Sequence, residues 1–197
     1  MNRRDAIRKT ALMAGTAAGV PSFLSLLQAC SKQERLTWVP EFLSEDQARF
    51  ISSFVDTILP KTDTPGGLDV KADVFIDLVY ARTYDKKGQD NVVAEIEKFN
   101  AAAKEKFGKV FADLSLEDKT AFLKEQEANS PTFNSRVWGT AVGKQEPVGF
   151  YRGLKSTVLW AYFSSEEIGK NVLNYDPIPG EFLGCIPLSD VGNSWSL

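Results

Sequence analysis

Histidine is absent from all 197 residues. Its absence excludes a Ser-His-Asp triad, a Cys-His dyad, a histidine general base and any His-ligated metal within this chain. Cysteine occurs only at Cys30 and Cys185. Without a Cys-x-x-Cys the chain holds no iron–sulfur cluster by itself, and without Cys-x-x-Cys-His it carries no covalently attached haem. No Gly-x-Gly-x-x-Gly follows a strand pattern, so the usual mode of flavin or dinucleotide binding is missing too. Positive charge is not in excess. The formal charge is −3, and without residues 1–29 it is −6, from 19 basic and 25 acidic residues, which gives no electrostatic case for nucleic-acid binding. Strand patterns are scarce beyond short segments near the C terminus, and no internal repeat is visible.

What remains is ordinary for a globular domain: 43% hydrophobic residues, with thirteen Phe and four Trp, enough for one real core. The acids that stand in pairs, Glu45/Asp46, Glu117/Asp118 and Glu166/Glu167, open helical patterns, where the helix dipole favours them. Neighbouring positions on a helix diverge, so these pairs do not read as facing catalytic carboxylates.

Residues 1–29 read as a targeting segment. A basic head with adjacent Arg3 and Arg4 resembles a twin-arginine export signal, with Ala6 where that pattern usually has a large apolar residue. Residues 10–29 are uncharged but only mildly apolar, and Gly15, Gly19 and Pro21 weigh against a stable membrane-spanning helix. The run Leu26-Leu27-Gln28-Ala29-Cys30 resembles a lipoprotein cleavage box, which makes Cys30 the lipidation candidate. The alternatives are an uncleaved anchor helix or a signal cut elsewhere. If Cys30 carries lipid, Cys185 has no partner inside the chain.

Residues 30–43 read as a tether. A capping box, Ser44 with Gln47, opens a helix whose stripe is Ile51, Phe54, Val55, Ile58 and Leu59, and Pro60 stops it. Lys61–Gly67 is a turn-rich loop that could offer amides to an anion, but it lacks phosphate-loop spacing and reads as structural or interfacial. A helix is expected from about Val70 to Tyr84, with Val74, Phe75, Leu78, Val79 and Arg82 on related faces. Asp85–Gly88 reads as a turn. The clearest period follows, with Val92, Ile96, Phe99, Ala103 and Phe107 on one stripe and Lys and Glu opposite. Ser115 caps a further helix carrying Ala121 and Phe122, which fades at Ser130-Pro131. Residues 132–146, with Phe133 and Trp138, fit a short helix or a packed loop. The last long helix, from Pro147, places Phe150, Tyr151, Leu154, Val158, Ala161 and Tyr162 on one face, and Ser164 is placed to cap the next turn with Glu167.

From Asn174 the chain turns extended: Pro177 and Pro179 keep Asp176 and Ile178 out of the helical region, yet Tyr175, Ile178, Phe182, Leu183 and Ile186 are apolar. This reads as a strap lying on the helical body or on a partner. Cys185 fits a buried thiol in that strap, a disulfide to another subunit, or a place near a partner's redox centre. Asp176 before Pro177 suits a turn acid or an interface. Trp138, Trp160 and Trp195 read as core or interface anchors.

The runs Trp160-Ala161-Tyr162-Phe163-Ser164-Ser165-Glu166-Glu167-Ile168-Gly169, Asn174-Tyr175-Asp176-Pro177-Ile178-Pro179-Gly180 and Gly184-Cys185-Ile186-Pro187-Leu188 resemble the C-terminal signature of the gluconate 2-dehydrogenase subunit 3 family. Ile58–Gly66, Val74–Leu78 and the Arg3-Arg4 signal fit as well. The resemblance implies a small, non-catalytic subunit of a membrane-associated dehydrogenase. Its partner would be an FAD-dependent flavoprotein that oxidises a sugar, sugar acid or other alcohol and passes electrons to a cytochrome c or a similar acceptor. This chain would hold no cofactor. It would supply the export signal, escort its folded partner, and attach it on the periplasmic side through lipid.

The expected architecture is mainly α. A signal at 1–29 and a tether at 30–43 precede a single helical domain at 44–188, closed by a Pro-rich strap and followed by a tail at 189–197. Trp160, Tyr175, Asp176, Ile178, Phe182 and Cys185 are the candidate partner interface. A second reading is a self-sufficient lipoprotein that binds a small molecule in a helical pocket.

Overall fold

A computed structural model describes residues 36–131, 136–137, 140–143, 147–178, 180 and 184–196. Arg3, Arg4, Cys30, Phe133, Trp138, Phe182 and Leu183 lie outside the described residues, so the expectations attached to them are not placed. The described chain is mainly helical.

Helix α1 spans Glu45–Ile58. The Ser44 hydroxyl accepts from Gln47 N at 3.3 Å and the Gln47 side chain accepts from Ser44 N at 3.0 Å, which closes the expected capping box. Ala48, Phe50, Ile51, Phe54 and Val55 are buried along it. Helix α2 spans Ala72–Thr83, two residues later than expected, because Leu68–Lys71 closes a turn (Lys71 N to Leu68 O, 3.0 Å) and Lys71 adopts a left-handed φ of 57°. Its buried face is Ala72, Asp73, Ile76, Asp77 and Tyr80, while Val74, Phe75, Leu78 and Val79 are half-buried.

Helix α3 spans Lys86–Phe107. The expected turn at 85–88 is instead its first turn. The Asp85 carboxylate accepts from Gly88 N at 2.8 Å and serves as the cap. Val92, Ile96, Phe99 and Ala103 are buried as the period predicts, and Gly108 ends the helix with a φ of 74°. A 3₁₀ turn at Phe111–Asp113 and helix α4 at Leu116–Asn129, capped by Ser115, follow. Two short antiparallel strands, β1 (Arg136–Val137) and β2 (Thr140–Ala141), lie in the segment expected to be helix or loop. Helix α5 spans Gly149–Phe163, α6 Glu166–Asn171 and α7 Leu188–Val191. The cap of α6 is Ser165, one residue after the expected Ser164. The Ser164 hydroxyl instead donates back to Trp160 O at 2.7 Å and closes α5.

The core is aromatic. Phe50, Phe54, Phe99, Phe111 and Phe122, from α1, α3, the 3₁₀ turn and α4, meet with centroids 5.0–6.3 Å apart, mostly edge to face. Such contacts add about 0.5–1.5 kcal/mol each beyond the area they bury. Helix α5 closes the core from one side with Tyr151, Leu154, Val158 and Ala161.

Residues 36–43 are part of this body rather than a tether to it. Burial alternates along them, with Leu36, Trp38, Pro40 and Phe42 turned inward and Thr37, Val39 and Glu41 outward, until Leu43 is buried. Leu36, Trp38 and Phe42 pack against the core.

Candidate partner interface

Helix α5 ends with its apolar side chains divided between two surfaces. Tyr162 is buried and donates its hydroxyl to Pro65 O at 2.8 Å, which ties α5 to the 60–69 loop. Trp160 and Phe163, one turn apart, point outward at 55% and 51% exposure. The Trp160 ring meets that of Phe75 from α2 edge to face, with ring centres 5.0 Å apart. A half-exposed tryptophan held in one pose by a neighbouring ring is a rigid anchor that loses little entropy on binding.

The 60–69 loop resolves to its structural reading. Gly66 N donates to Asp69 Oδ2 at 2.9 Å and Gly67 N to Leu59 O at 2.8 Å, so neither amide is left for an anion. A Cβ on Gly66 would sit 2.7 Å from Lys61 N, and one on Gly67 2.5 Å from Val55 Cγ1; the close approach of the loop to its own start at Lys61 and to α1 at Val55 requires glycine at each.

The C-terminal segment is tied at its ends. Asn174 N donates to Ser194 O and Ser196 N to Asn174 O, both at 2.9 Å, in an isolated parallel bridge, and the Asn174 side-chain amide donates to Val191 O and Asn193 O. Asn193 Nδ2 reaches Val172 O at 2.6 Å and Ser196 Oγ reaches Gly169 O at 2.8 Å. Residues 194–196, expected as part of the tail at 189–197, therefore form the base of a loop. Between its ends the described apolar side chains face outward: Tyr175 is 41% exposed, Ile178 84%, Ile186 44% and Leu188 87%. Ile178, in a strap expected to lie on the helical body or on a partner, is not covered by the helical body. Pro-rich extended chain has no hydrogen-bond ladder of its own, and among the described residues its hydrogen bonds to the body lie at the base.

The remaining candidates fall as follows. The Tyr175 ring takes the Lys170 ammonium at 6.0 Å from its centre. Asp176 Oδ1 accepts from Ile178 N at 3.3 Å, an Asx turn that matches the turn-acid reading. Cys185 is a free, exposed thiol, which corrects the buried reading. Trp195 is half-exposed. Trp160 contacts α2 while Tyr175 contacts α6, so their described contacts are with different helices.

One constellation was not foreseen. Asp73 and Asp77, one turn apart on α2, are 5% and 1% exposed. Asp73 accepts from Trp38 Nε1 at 3.0 Å, Ser52 Oγ at 2.6 Å and Val74 N at 2.9 Å. Asp77 accepts three successive amides, Glu41 N at 2.6 Å, Phe42 N at 3.2 Å and Leu43 N at 2.8 Å. Both oxygens of each carboxylate are thus occupied by the chain itself, and the pair is structural rather than catalytic. The sequence signal was present in two halves: alternation through Leu36-Thr37-Trp38-Val39-Pro40-Glu41-Phe42, and acids four apart beside Ala72, Ile76 and Tyr80.

A second acid, Glu127 on α4, gathers Tyr151 OH at 2.7 Å, Arg152 Nη1 at 3.1 Å and Lys155 Nζ at 2.6 Å, all from α5. The hydrogen bond from Lys155, then that from Tyr151, holds its carboxyl below the ordinary glutamate range. Burial, then the bond to Glu127, pushes the Tyr151 hydroxyl upward. This cluster fastens α4 to α5. Among the described residues no group of three or more Cys, Asp or Glu is placed to hold a metal ion, and no helix is long and apolar enough to cross a membrane.

The family described as gluconate 2-dehydrogenase subunit 3 matches residues 45–180, from the first residue of α1 into the C-terminal loop. No curated protein and no solved structure matches the chain. The matched stretch contains the aromatic core, the glycine-locked loop, Trp160 and the start of the outward-facing loop, and it covers well over half of the sequence; the chain belongs to the gluconate 2-dehydrogenase subunit 3 family.

Proposed function

We propose that this chain is the small, non-catalytic subunit of a dehydrogenase complex and that it binds a separate FAD-dependent catalytic subunit acting on a sugar, sugar acid or other alcohol. Membership in a family of dehydrogenase subunits carries the reading. The exposed apolar side chains at Trp160, Phe163, Ile178, Ile186 and Leu188 support it, as large apolar groups that another protein could cover. The chain itself would hold no flavin, haem or metal, in keeping with its lack of histidine and of cofactor motifs.

In this reading Arg3 and Arg4 direct export by the twin-arginine route. That route takes folded cargo and so suits a partner that must acquire its flavin first. Lipid on Cys30 then holds the complex at the membrane on the periplasmic side, where a cytochrome c accepts electrons. The test is co-expression with the flavoprotein dehydrogenases of the same genome and purification through this chain. A stoichiometric flavin spectrum in the complex, lost when the chain is purified alone, is expected. A chain that carries flavin by itself, or that never retains the flavoprotein, contradicts the proposal. Arg3→Lys with Arg4→Lys should abolish export, because lysine does not reproduce the guanidinium fork. Normal arrival of that variant in the envelope rules out the twin-arginine route.

A further inference from the structure

The C-terminal chain closes on Asn174. Its backbone N–H donates to Ser194 O, and its carbonyl accepts from Ser196 N at 2.9 Å and from the Ser196 hydroxyl at 3.2 Å. Its side-chain amide donates to Val191 O, at the end of α7, and to Asn193 O at 2.7 Å. An amide NH₂ has two hydrogens, so both are spent on these carbonyls. Gly192 lies between them with a φ of 70°, and a Cβ there would stand 3.7 Å from Asn174 Oδ1. An aspartate of the same size would set a carboxylate against two carbonyls instead. The base is itself fixed. Ser196 Oγ donates to Gly169 O at 2.8 Å and Asn193 Nδ2 to Val172 O at 2.6 Å, at the C-terminal end of α6, where carbonyls lack partners within the helix. Ile168 of that helix is fully buried, so the base is fastened to the body through α6.

A chain that returns parallel to itself, as at the Asn174–Trp195 bridge, needs a long connection between its two arms. This connection carries the exposed Ile178, Ile186 and Leu188, the last of them in α7, whose opposite end Asn174 holds. We propose that Asn174 is a latch that closes the C-terminal loop before the catalytic subunit arrives; the proposal rests on the reading of that loop as the face for this subunit. Closing the loop in advance places its entropy cost in folding rather than in association, so the partner meets side chains already in position. Asn174 is thus a positioning residue. It is half-buried and acts through α7 and residues 194–196 rather than by touching the partner. A chain with the latch open binds only during the fraction of time its loop is closed. The association rate falls by that fraction, and dissociation is unchanged.

The test titrates the full chain with the flavoprotein that co-purifies with it and follows both rates. Asn174→Asp keeps the size of the side chain and reverses its hydrogen bonding. Ser196→Pro removes the N–H that reaches Asn174 O. Each should slow association at least about tenfold, with dissociation within about twofold of wild type. The double variant should be no slower than the worse single one, because both open the same latch. Wild-type association by either variant, or a loss that arises wholly from faster dissociation, overturns the proposal. Circular dichroism checks that the helical body is intact; if Asn174→Asp does not fold, Ser196→Pro, which lies outside every described helix, carries the test. If no flavoprotein is retained by wild type, the partner reading fails, and the latch is read by hydrogen exchange on the chain alone. The amides at positions 174 and 196 should then be protected in wild type and exchange at least about tenfold faster in Asn174→Asp; equal rates overturn it.

Discussion

Two irregular segments flank the helical body and share a composition. Residues 36–43 and 174–196 are both largely irregular, both contain proline and both carry large apolar side chains. The first turns Leu36, Trp38 and Phe42 inward, whereas the second leaves Ile178 and Leu188 more than four-fifths exposed. Hydrophobicity does not separate them. The difference lies in what receives the backbone. Asp77 accepts three successive amides of the first segment, so its apolar side chains reach the core without leaving polar groups unpaired. The second is bonded at its base through Asn174, and its described apolar side chains at Ile178 and Leu188 stay in solvent. An irregular apolar segment joins a core when something in the core satisfies its backbone.

The comparison breaks most visibly if the C-terminal loop is removed. Truncation after Asn174 should leave helicity intact and weaken capture of the catalytic subunit by about a thousandfold, as expected for losing two large side chains from an interface at ~2 kcal/mol each. A pull-down with both lengths, checked by circular dichroism, decides it. Undiminished capture by a folded truncated chain would make the loop a mere appendage. Cutting the inward segment's support should act on stability instead. Asp77→Ala leaves the Glu41–Leu43 amides without their acceptor and should cost about 3 kcal/mol in denaturant unfolding.

The contrast sharpens with single residues. Ile178→Asp should shift stability by less than about 0.5 kcal/mol, since the side chain is exposed, while lowering partner affinity at least tenfold in titration. Outside both segments, Glu127→Gln should cost no more than about 1 kcal/mol, because its ion pairs to Arg152 and Lys155 are part-exposed. The folded Glu127 carboxyl lies below its ordinary value of 4.5, so the cluster stabilises above that pH and the contribution is lost as pH falls through the lower folded value. The gap between wild type and Glu127→Gln should therefore close in acid-unfolding curves.

Much of the helical body was legible in the sequence. Stripes such as Val92–Ile96–Phe99–Ala103 and caps such as Ser44 and Ser115 are local signals, and local signals survive folding. The misreadings came from residues with two uses. Asp85-Lys86-Lys87-Gly88 looks like a turn but opens α3, because Asp85 caps as readily as it turns. Ser164 and Ser165 both suit a cap, and α5 claims the first. Asp73 and Asp77 disguised the buried face of α2, since acids read as surface until their donors, some 21 to 36 residues away, are known. Among the interface candidates Trp160, Tyr175, Ile178 and Cys185 are exposed, while the closing of the loop's base depends on the Asn174–Trp195 bridge, which no local pattern announces.

Hydrogen exchange, read on the free chain and again on its complex with the catalytic subunit, tests the account most directly. The amides of Glu41, Phe42 and Leu43 should be protected in both states, held by Asp77. Those of Tyr175, Ile178 and Cys185 should exchange fast in the free chain and slow by at least about a hundredfold in the complex. Protection of the C-terminal loop already in the free chain, or no change on binding, would contradict the assignment of that loop as the partner surface.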